Sequence, residues 1–581
     1  MNPRSVPRWR TGLVTVFILG VWGILAARLV QVQGISRDAF ASRAASQRTF
    51  METIPSRPGE IVDRNGHVLA MTVTRRSLFL DPSRVKSAWD VAFGLGTALK
   101  LDADELFQQL SEKSDRRFMW VKRRLSDEEV ELVRELQLPD DIWGYRNEYQ
   151  RHYPQGNLAA HALGIRNIDN RGSGGLEESF DTSIRGQEGR RILVRDARGA
   201  VIDIRPHEAP QHGCTIVTTL DSVLQVRVEQ QLDSIIKRWV PRGACAIVME
   251  PSSGDILAMA SRPTFNPNRP AGQNDAWANL CISAVYEPGS TIKPFIVGWA
   301  IEQGLLAPDE LFDCEHGAYQ MGRRVLHDHH PYGQLDVTDV LVKSSNIGMA
   351  KIGERLTNEG LYQSLLTFGF VRRTGLELPG ELIGLVRPLD QWNNYSTGSV
   401  PMGHEIAITP MQLITAHAAL ANGGRMVYPR LTKSETLSLP TPVDTVSRDA
   451  APAPVVSQTI NAKTANWLVA GPMQDVVERG TAKAVRIDGV EVFGKTGTAQ
   501  KLTANGPQGH VCSFVGGAPA SNPRVLVLVV VDSPTAAGSH YGGTVAAPAA
   551  KAILEAALRR DEAMSRRKAM STTRREAPAR Q

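Results

Sequence analysis

The chain reads as α+β: one antiparallel sheet flanked by helices, carried on a smaller α+β module and led by a single apolar helix. Three observations point there. Residues 215–250 open with strand, helix, strand: TIVTTL, the amphipathic SVLQVRVEQQLDSIIKRW, then GACAIVME. Near the C-terminus three strand-like runs, FGKTGTAQK, CSFVGGA and RVLVLVVVD, follow in series and are closed by the helical TVAAPAAKAILEAALRR; consecutive strands without long crossovers pair antiparallel. Residues 12–30, GLVTVFILGVWGILAARLV, are near-continuously apolar over the length a bilayer-spanning helix needs.

Taken in order, residues 1–10 form a cytoplasmic tail and 11–31 a transmembrane helix whose Arg28 can snorkel at the far end. Arg4, Arg8 and Arg10 precede the span, so the positive-inside rule puts the N-terminus in the cytoplasm and the rest of the chain outside. No small-x-small cleavage site precedes VQVQG, which favours an uncleaved, single-pass inner-membrane anchor. Residues 35–212 are charged and punctuated by SRPGE, DRNGH and DNRGSGG, with a helix expected at SDEEVELVRELQL. Residues 213–560 make the larger domain, and the basic, patternless tail 561–581 reads as solvated and disordered, with contact to an anionic surface the alternative.

The net charge of +6 misleads as a clue to partners. Residues 559–581 contribute about +5 and the first ten +3, leaving about −2 for the body between, so nothing speaks for nucleic-acid binding. Five cysteines, Cys214, Cys245, Cys281, Cys314 and Cys512, are odd in number and show no C-x-x-C spacing, so no disulfide framework is implied.

Residues 287–295, EPGSTIKPF, look first like a helix start with Ser290 near the N-cap. Lys293 does not fit that account alone. A cation in the first turn faces the positive end of the helix dipole, where an acid is favoured by up to about 1 kcal/mol. At i and i+3 the amine and the hydroxyl share a face, the geometry an activated serine requires.

An S-x-x-K enzyme also needs a second hydroxyl and amide and a cationic strand for a substrate carboxylate. Both follow in order: Ser344-Ser345-Asn346 within VKSSNIGMAKIG, then Lys495-Thr496-Gly497-Thr498 within FGKTGTAQ. Each triplet alone has a structural reading, an N-cap cluster or a strand entering a turn. All three in this order, at a helix start and a strand start, are hard to reconcile with that.

On these motifs the chain resembles the class B penicillin-binding proteins, the peptidoglycan D,D-transpeptidases. The resemblance extends to SRPGEIVDRNGHVLA, RHYPQGNLAAHALG and GSGGLEESFD in the N-terminal pedestal, and to EPSSGDILAMASRPTFNPN and MGHEIAITPMQL in the catalytic domain. It implies the penicillin-binding serine transpeptidase fold on a dimerisation-type pedestal. Asn346, SPTAAGSHYGGTVAAP and the overall length lean toward the FtsI-type division branch. An elongation or sporulation enzyme is the alternative.

The resemblance implies Ser290 as nucleophile, Lys293 as its base, Ser344 as proton relay and Asn346 as substrate and lysine positioner. It implies Lys495, Thr496, Gly497 and Thr498 as the carboxylate site, with the N–H groups of Ser290 and Thr498 as oxyanion hole. It implies partners too: stem peptides ending in D-Ala-D-Ala, β-lactams, the membrane, and a polytopic FtsW-type glycosyltransferase with other divisome proteins. No cofactor is expected. The cluster His327, Asp328, His329 and His330, with Cys314 and His316 nearby, could be a metal site, but adjacent histidines diverge on an extended chain and a loop is the expectation. A serine β-lactamase and a non-catalytic β-lactam or wall-peptide receptor remain as rivals.

Overall fold

A computed structural model describes residues 8–35, 37–38, 42, 48–196, 201–270, 274–433, 457–503, 506–538 and 540–576. These fall into two compact units, one drawn from Met1–Arg57 and Gly186–Gly213, the other from Pro58–Arg185 and Cys214–Gln581. The module expected over 35–212 is thus divided, its middle belonging to the same unit as the larger domain.

In the first unit the apolar stretch is a helix, Arg8–Val30, exposed throughout and continued by a wider turn, Gln31–Ile35. Its 23 residues reach about 34 Å, enough for a hydrocarbon core of about 30 Å. The helix starts three residues before the expected boundary, and residues 1–7 of the expected cytoplasmic tail lie outside the described residues. The unit also holds an antiparallel sheet in the order Thr49–Ile54, Gly189–Arg195, Val201–Glu208.

In the second unit the long strand Val68–Leu80 is flanked by Met119–Leu125 and Trp143–His152. Helices Ala88–Leu99, Ala103–Glu112 and Asp127–Glu135 bury Leu95, Leu99, Leu106 and Val133 in a core with Leu78 and Leu80. The last of these is the helix expected at SDEEVELVRELQL, started by a reciprocal capping box between Ser126 and Glu129. A charged centre lies nearby. Glu177, fully buried, accepts from Arg151 Nε at 2.5 Å and Arg166 Nε at 2.8 Å.

TIVTTL does not join the main sheet. Only Ile216–Val217 is a strand, and it pairs in parallel with Ile61–Val62. The chain turns at once into the helix Ser222–Trp239, whose N-cap Asp221 accepts from the N–H groups of Val223 and Leu224, both at 3.1 Å. Asp63 of the DRNGH turn receives the Ser222 hydroxyl at 2.7 Å. Burial pushes the Asp63 carboxyl up, but hydrogen bonds from Ser222 and His67 outweigh it and hold the group at about 2.

The main sheet is antiparallel and five-stranded, in the order Ile256–Arg262, Gly243–Met249, Val525–Asp532, Gly506–Ala518, Phe493–Thr503. Its central strand, LVLVVV in sequence, is buried on both faces. Val525, Val527, Val529 and Val531 face the closing helix, while Leu526, Leu528 and Val530 belong to the core on the other face, where the helix Pro410–Ala421 packs against the strand. Phe493–Thr503 is the sheet edge, so one row of its backbone groups has no strand partner among the described residues.

The closing helix, Ala547–Glu576, overrides the expectation of a disordered tail from Asp561 over the residues described. Met, Arg, Lys, Ala and Glu are strong helix formers, and a helix already anchored by Ile553 and Leu554 needs no new nucleus to continue. Residues 577–581 of that tail lie outside the described residues.

Candidate active site

The EPGSTIKPF stretch folds as a 3-10 turn, Gly289–Ile292, running directly into the helix Lys293–Glu302 with Pro294 in its first turn. Ser290 therefore sits inside the tight turn, one step before the α-helix. Gly289 has φ +55°, and a Cβ there would lie 3.0 Å from Thr498 O. The turn and the edge strand consequently meet backbone to backbone. Gly497 has a similar cause: a side chain would fall 2.4 Å from Ser513 Oγ and 2.8 Å from Pro288 O.

Lys293 is fully buried. Its Nζ donates to Ser344 O at 2.7 Å, Asn346 Oδ1 at 2.9 Å, Ser344 Oγ at 3.2 Å and Ser345 O at 3.3 Å. The expected direct reach from Lys293 to the Ser290 hydroxyl is not among its bonds. The segment 344–346 offers four acceptors converging on the amine, and that cluster outcompetes one hydroxyl.

The converging acceptors arise from a helix break. Val337–Lys343 ends at Ser344, in the left-handed region at φ 59°, and Ser345 caps the next helix, Asn346–Thr367, accepting from Gly348 N at 3.0 Å. Asp328 holds this turn, accepting from Ser345 Oγ at 2.7 Å, from Ile347 N at 3.1 Å and from Asn346 N. Asn346 Nδ2 donates to His327 O at 3.1 Å. The HDHH stretch is thus the end of a short strand and a loop in which Asp328 serves as an anchor.

Lys495, also fully buried, donates to Ser344 Oγ at 3.0 Å. Thr496 Oγ1 pairs with Thr481 Oγ1 at 2.7 Å, and Thr498 Oγ1 accepts from Gly542 N at 3.1 Å. Ser290, Ser344, Thr496 and Thr498 line one cleft of about 750 Å³ with His329 and Tyr541. The three motifs, separated by up to about 200 residues, therefore meet in one place.

Burial pushes the Lys293 amine well below its ordinary 10.5, and the charge of Lys495 pushes it further, against a smaller upward pull from Asp328. Burial alone brings Lys495 down to about 7. His329 is lowered by burial and then by Lys293 and His330. Behind the wall of the cleft, at Ser344, an amine poised to be neutral thus lies next to one that can hold a charge.

Sequence reasoning missed Asp328 as an anchor, and also Thr481, Gly542 and Tyr541. The GSHYGGTVAAP stretch contained the last two. Thr481 had no local signal, since its role exists only across 15 residues from Thr496.

Comparison with known proteins agrees with this geometry. The penicillin binding protein transpeptidase domain model matches residues 244–555 and the penicillin-binding protein dimerisation domain model residues 53–218. The probable peptidoglycan D,D-transpeptidase PenA of Neisseria meningitidis is 32% identical over 94% of this chain and 92% of its own length. Peptidoglycan D,D-transpeptidase FtsI of Escherichia coli K12 is 30% identical over 95% and 92%. Penicillin binding protein 3 of Mycobacterium tuberculosis, crystallised with aztreonam, superposes with a TM-score of 0.67 at 28% identity, covering 88% of this chain and 97% of that one. The chain belongs to the penicillin-binding transpeptidase family, and the paired dimerisation and transpeptidase domains make it a class B member.

Proposed function

We propose that the chain is a serine-type peptidoglycan D,D-transpeptidase that cross-links stem peptides in septal wall synthesis. The observation that carries the reading is the convergence of Lys293 and Lys495 on Ser344 in the cleft that also contains Ser290. Ser290 Oγ attacks the carbonyl of the penultimate D-alanine, and its proton passes to neutral Lys293. Ser344, bonded to both amines, relays a proton to the departing nitrogen, so D-alanine leaves and an ester to Ser290 remains. A neighbouring stem peptide's amine attacks that ester, gives up a proton and restores the Ser290 hydroxyl.

Lys495, Thr496 and Thr498 receive the terminal carboxylate, and Gly497 lets the strand come close. The Ser290 and Thr498 N–H groups stabilise the oxyanion, an interaction of about 2.7–4 kcal/mol per donor. Asn346 positions Lys293 and contacts the substrate backbone. The anchor helix holds the protein in the inner membrane with its N-terminus in the cytoplasm and its large domains outside, and a polytopic FtsW-type glycosyltransferase in the same membrane supplies the glycan on that outer side.

Intact-mass measurement after incubation with benzylpenicillin tests the chemistry. One persistent adduct per chain, absent from Ser290→Ala and with little drug consumed, is expected. Drug destruction without an adduct would indicate a β-lactamase instead, and neither adduct nor destruction a receptor. For the septal role, depletion is expected to give filaments; swollen or rounded cells would assign the enzyme to elongation.

A further inference from the structure

Spacing in sequence pairs none of the five cysteines, but the fold brings two of them together. Along the strand Gly243–Met249 the side chains of Cys245, Ile247 and Met249 face the core that holds Phe295 and Ile296, while Ala244, Ala246 and Val248 face the other side. The short helix Leu280–Ser283 packs on the first of these faces, started by Asn279, whose side chain accepts from Cys281 N at 3.2 Å. The Cys281 sulfur donates to Ala260 O at 3.4 Å and to Ala246 O at 3.7 Å, and lies 3.8 Å from Ser261 Oγ. Cys245 stands directly across the ladder from Ser261, and Ala246 from Ala260. The Cys281 thiol therefore rests on the Cys245 side chain, and the two thiols hydrogen-bond to each other. Both are buried, and both are free thiols in this structure.

The other three are engaged elsewhere. Cys314 Sγ lies 3.4 Å from Ser345 Oγ, Cys512 Sγ donates to His540 O at 3.1 Å, and Cys214 N donates to Ser183 O at 2.9 Å.

The hydrogen bond with Cys281, and then burial, push the Cys245 thiol well above its ordinary 9.0. Thiol–disulfide exchange runs through the thiolate, so the finished core neither forms a bond at this site nor gives one up to a reductant. Exchange belongs to folding, before the helix Leu280–Ser283 closes over the strand. The compartment in which the chain folds then decides the outcome, and outside the inner membrane it is oxidising.

Resting on the outside placement of the large domains proposed above, we propose that Cys245 and Cys281 are joined as a disulfide in the exported protein, formed by exchange with the disulfide of an oxidising dithiol enzyme. One cysteine thiolate attacks the enzyme's disulfide, giving a mixed disulfide and freeing one enzyme sulfur; the second cysteine then displaces the other enzyme sulfur. Two S–H bonds of the chain are lost and one S–S bond forms, and the enzyme departs as a dithiol with the two electrons and two protons. The bond clasps the second strand of the main sheet to the segment that reaches Ser290 nine residues after Cys281, and so braces the 3-10 turn against the sheet.

Peptide mapping of the full-length protein tests this. Membranes are quenched in acid, denatured in iodoacetamide and digested without reductant. Alkylated Cys214, Cys314 and Cys512 are expected, with the peptides of Cys245 and Cys281 linked and separating on reduction. Protease added to spheroplasts reports independently whether the large domains lie outside. Five alkylated cysteines in a chain that this protease degrades overturn the bridge. Five in a chain that it leaves intact overturn the outside placement, and the bridge with it. A link through any other cysteine overturns the pairing. Urea denaturation gives a second readout: a reductant should lower the wild-type midpoint and leave that of the Cys245→Ala, Cys281→Ala double variant unmoved. A wild-type midpoint indifferent to reductant overturns the bridge even where the double variant does not fold.

Discussion

Lys293 and Lys495 direct their amines at a single oxygen, Ser344 Oγ, from 3.2 and 3.0 Å. Two buried ammonium groups so close repel, and no carboxylate lies within ion-pair distance of either among the described residues. The state suited to acylation has one proton to share: Lys293 neutral, Lys495 charged.

That sharing sets the pH profile. Raising the pH first frees Lys293, lowered by burial and by Lys495, and the rate rises; removing the remaining proton discharges the carboxylate site, and the rate falls. The second-order rate of benzylpenicillin acylation should therefore be bell-shaped, with its descending limb as the pH rises past about 7. Lys495→Arg, which stays charged, should lack the descending limb, and a descending limb that persists in it would refute the assignment. Stability follows the same groups. Between about 7 and 10.5 the unfolded chain binds more protons at Lys495 than the folded one, so wild-type stability should rise with pH in that window relative to Lys495→Met.

Asp328 does its work at a distance from the cleft chemistry. Asp328→Ala strips acceptors from Ser345 Oγ and from the Asn346 and Ile347 N–H groups, at a cost of about 1–3 kcal/mol for the donors left unsatisfied. A lower denaturation midpoint together with slower acylation is expected, because the same turn aims Ser344 and Asn346 at Lys293. Unchanged acylation in a destabilised variant would separate the anchor from the site.

Gly497→Ala tests the close approach of strand and turn. The added methyl overlaps Ser513 Oγ and Pro288 O, so the edge strand must move off the 3-10 turn. Acylation is expected to fall by about 100-fold, as when one oxyanion donor is lost, while circular dichroism remains that of a folded protein.

Glu177→Gln probes the buried charged centre. Two guanidinium groups, Arg151 and Arg166, would lose their shared counter-charge, and chemical denaturation should report a loss of about 3–5 kcal/mol. The folded fraction at low temperature should still be labelled by penicillin.

The constellation proposed as catalytic was legible in sequence because each part is short and local: a serine and lysine one helical turn apart, a Ser-Ser-Asn at a helix start, a Lys-Thr-Gly opening a strand. The amphipathic helix Ser222–Trp239 was legible for the same reason, its Leu224, Val228, Leu232 and Ile235 spaced on one face. What escaped depends on long-range pairing. TIVTTL has strand composition, but which sheet it joins is decided by Ile61 and Val62, some 150 residues earlier. Asp328 looked like a metal ligand or a loop residue because its partners begin 17 positions on. The Lys293 amine was expected at Ser290, its neighbour in sequence, while the deciding acceptors came from a helix break more than 50 residues away.

The open rim of the sheet at Phe493–Thr503 also bears on how the chain is made. An unpaired strand is a template for any extended segment, including the same segment of another copy still folding, and so invites aggregation. Its partial roof, Gly289–Ile292, is synthesised about 200 residues earlier. As the chain emerges N-terminus first on the far side of the membrane, the cover precedes the hazard it shields; in refolding from denaturant both are released at once. Vectorial synthesis thus protects this enzyme in a way that dilution from urea does not, and a β-lactam already seated against the strand should raise the yield of the latter.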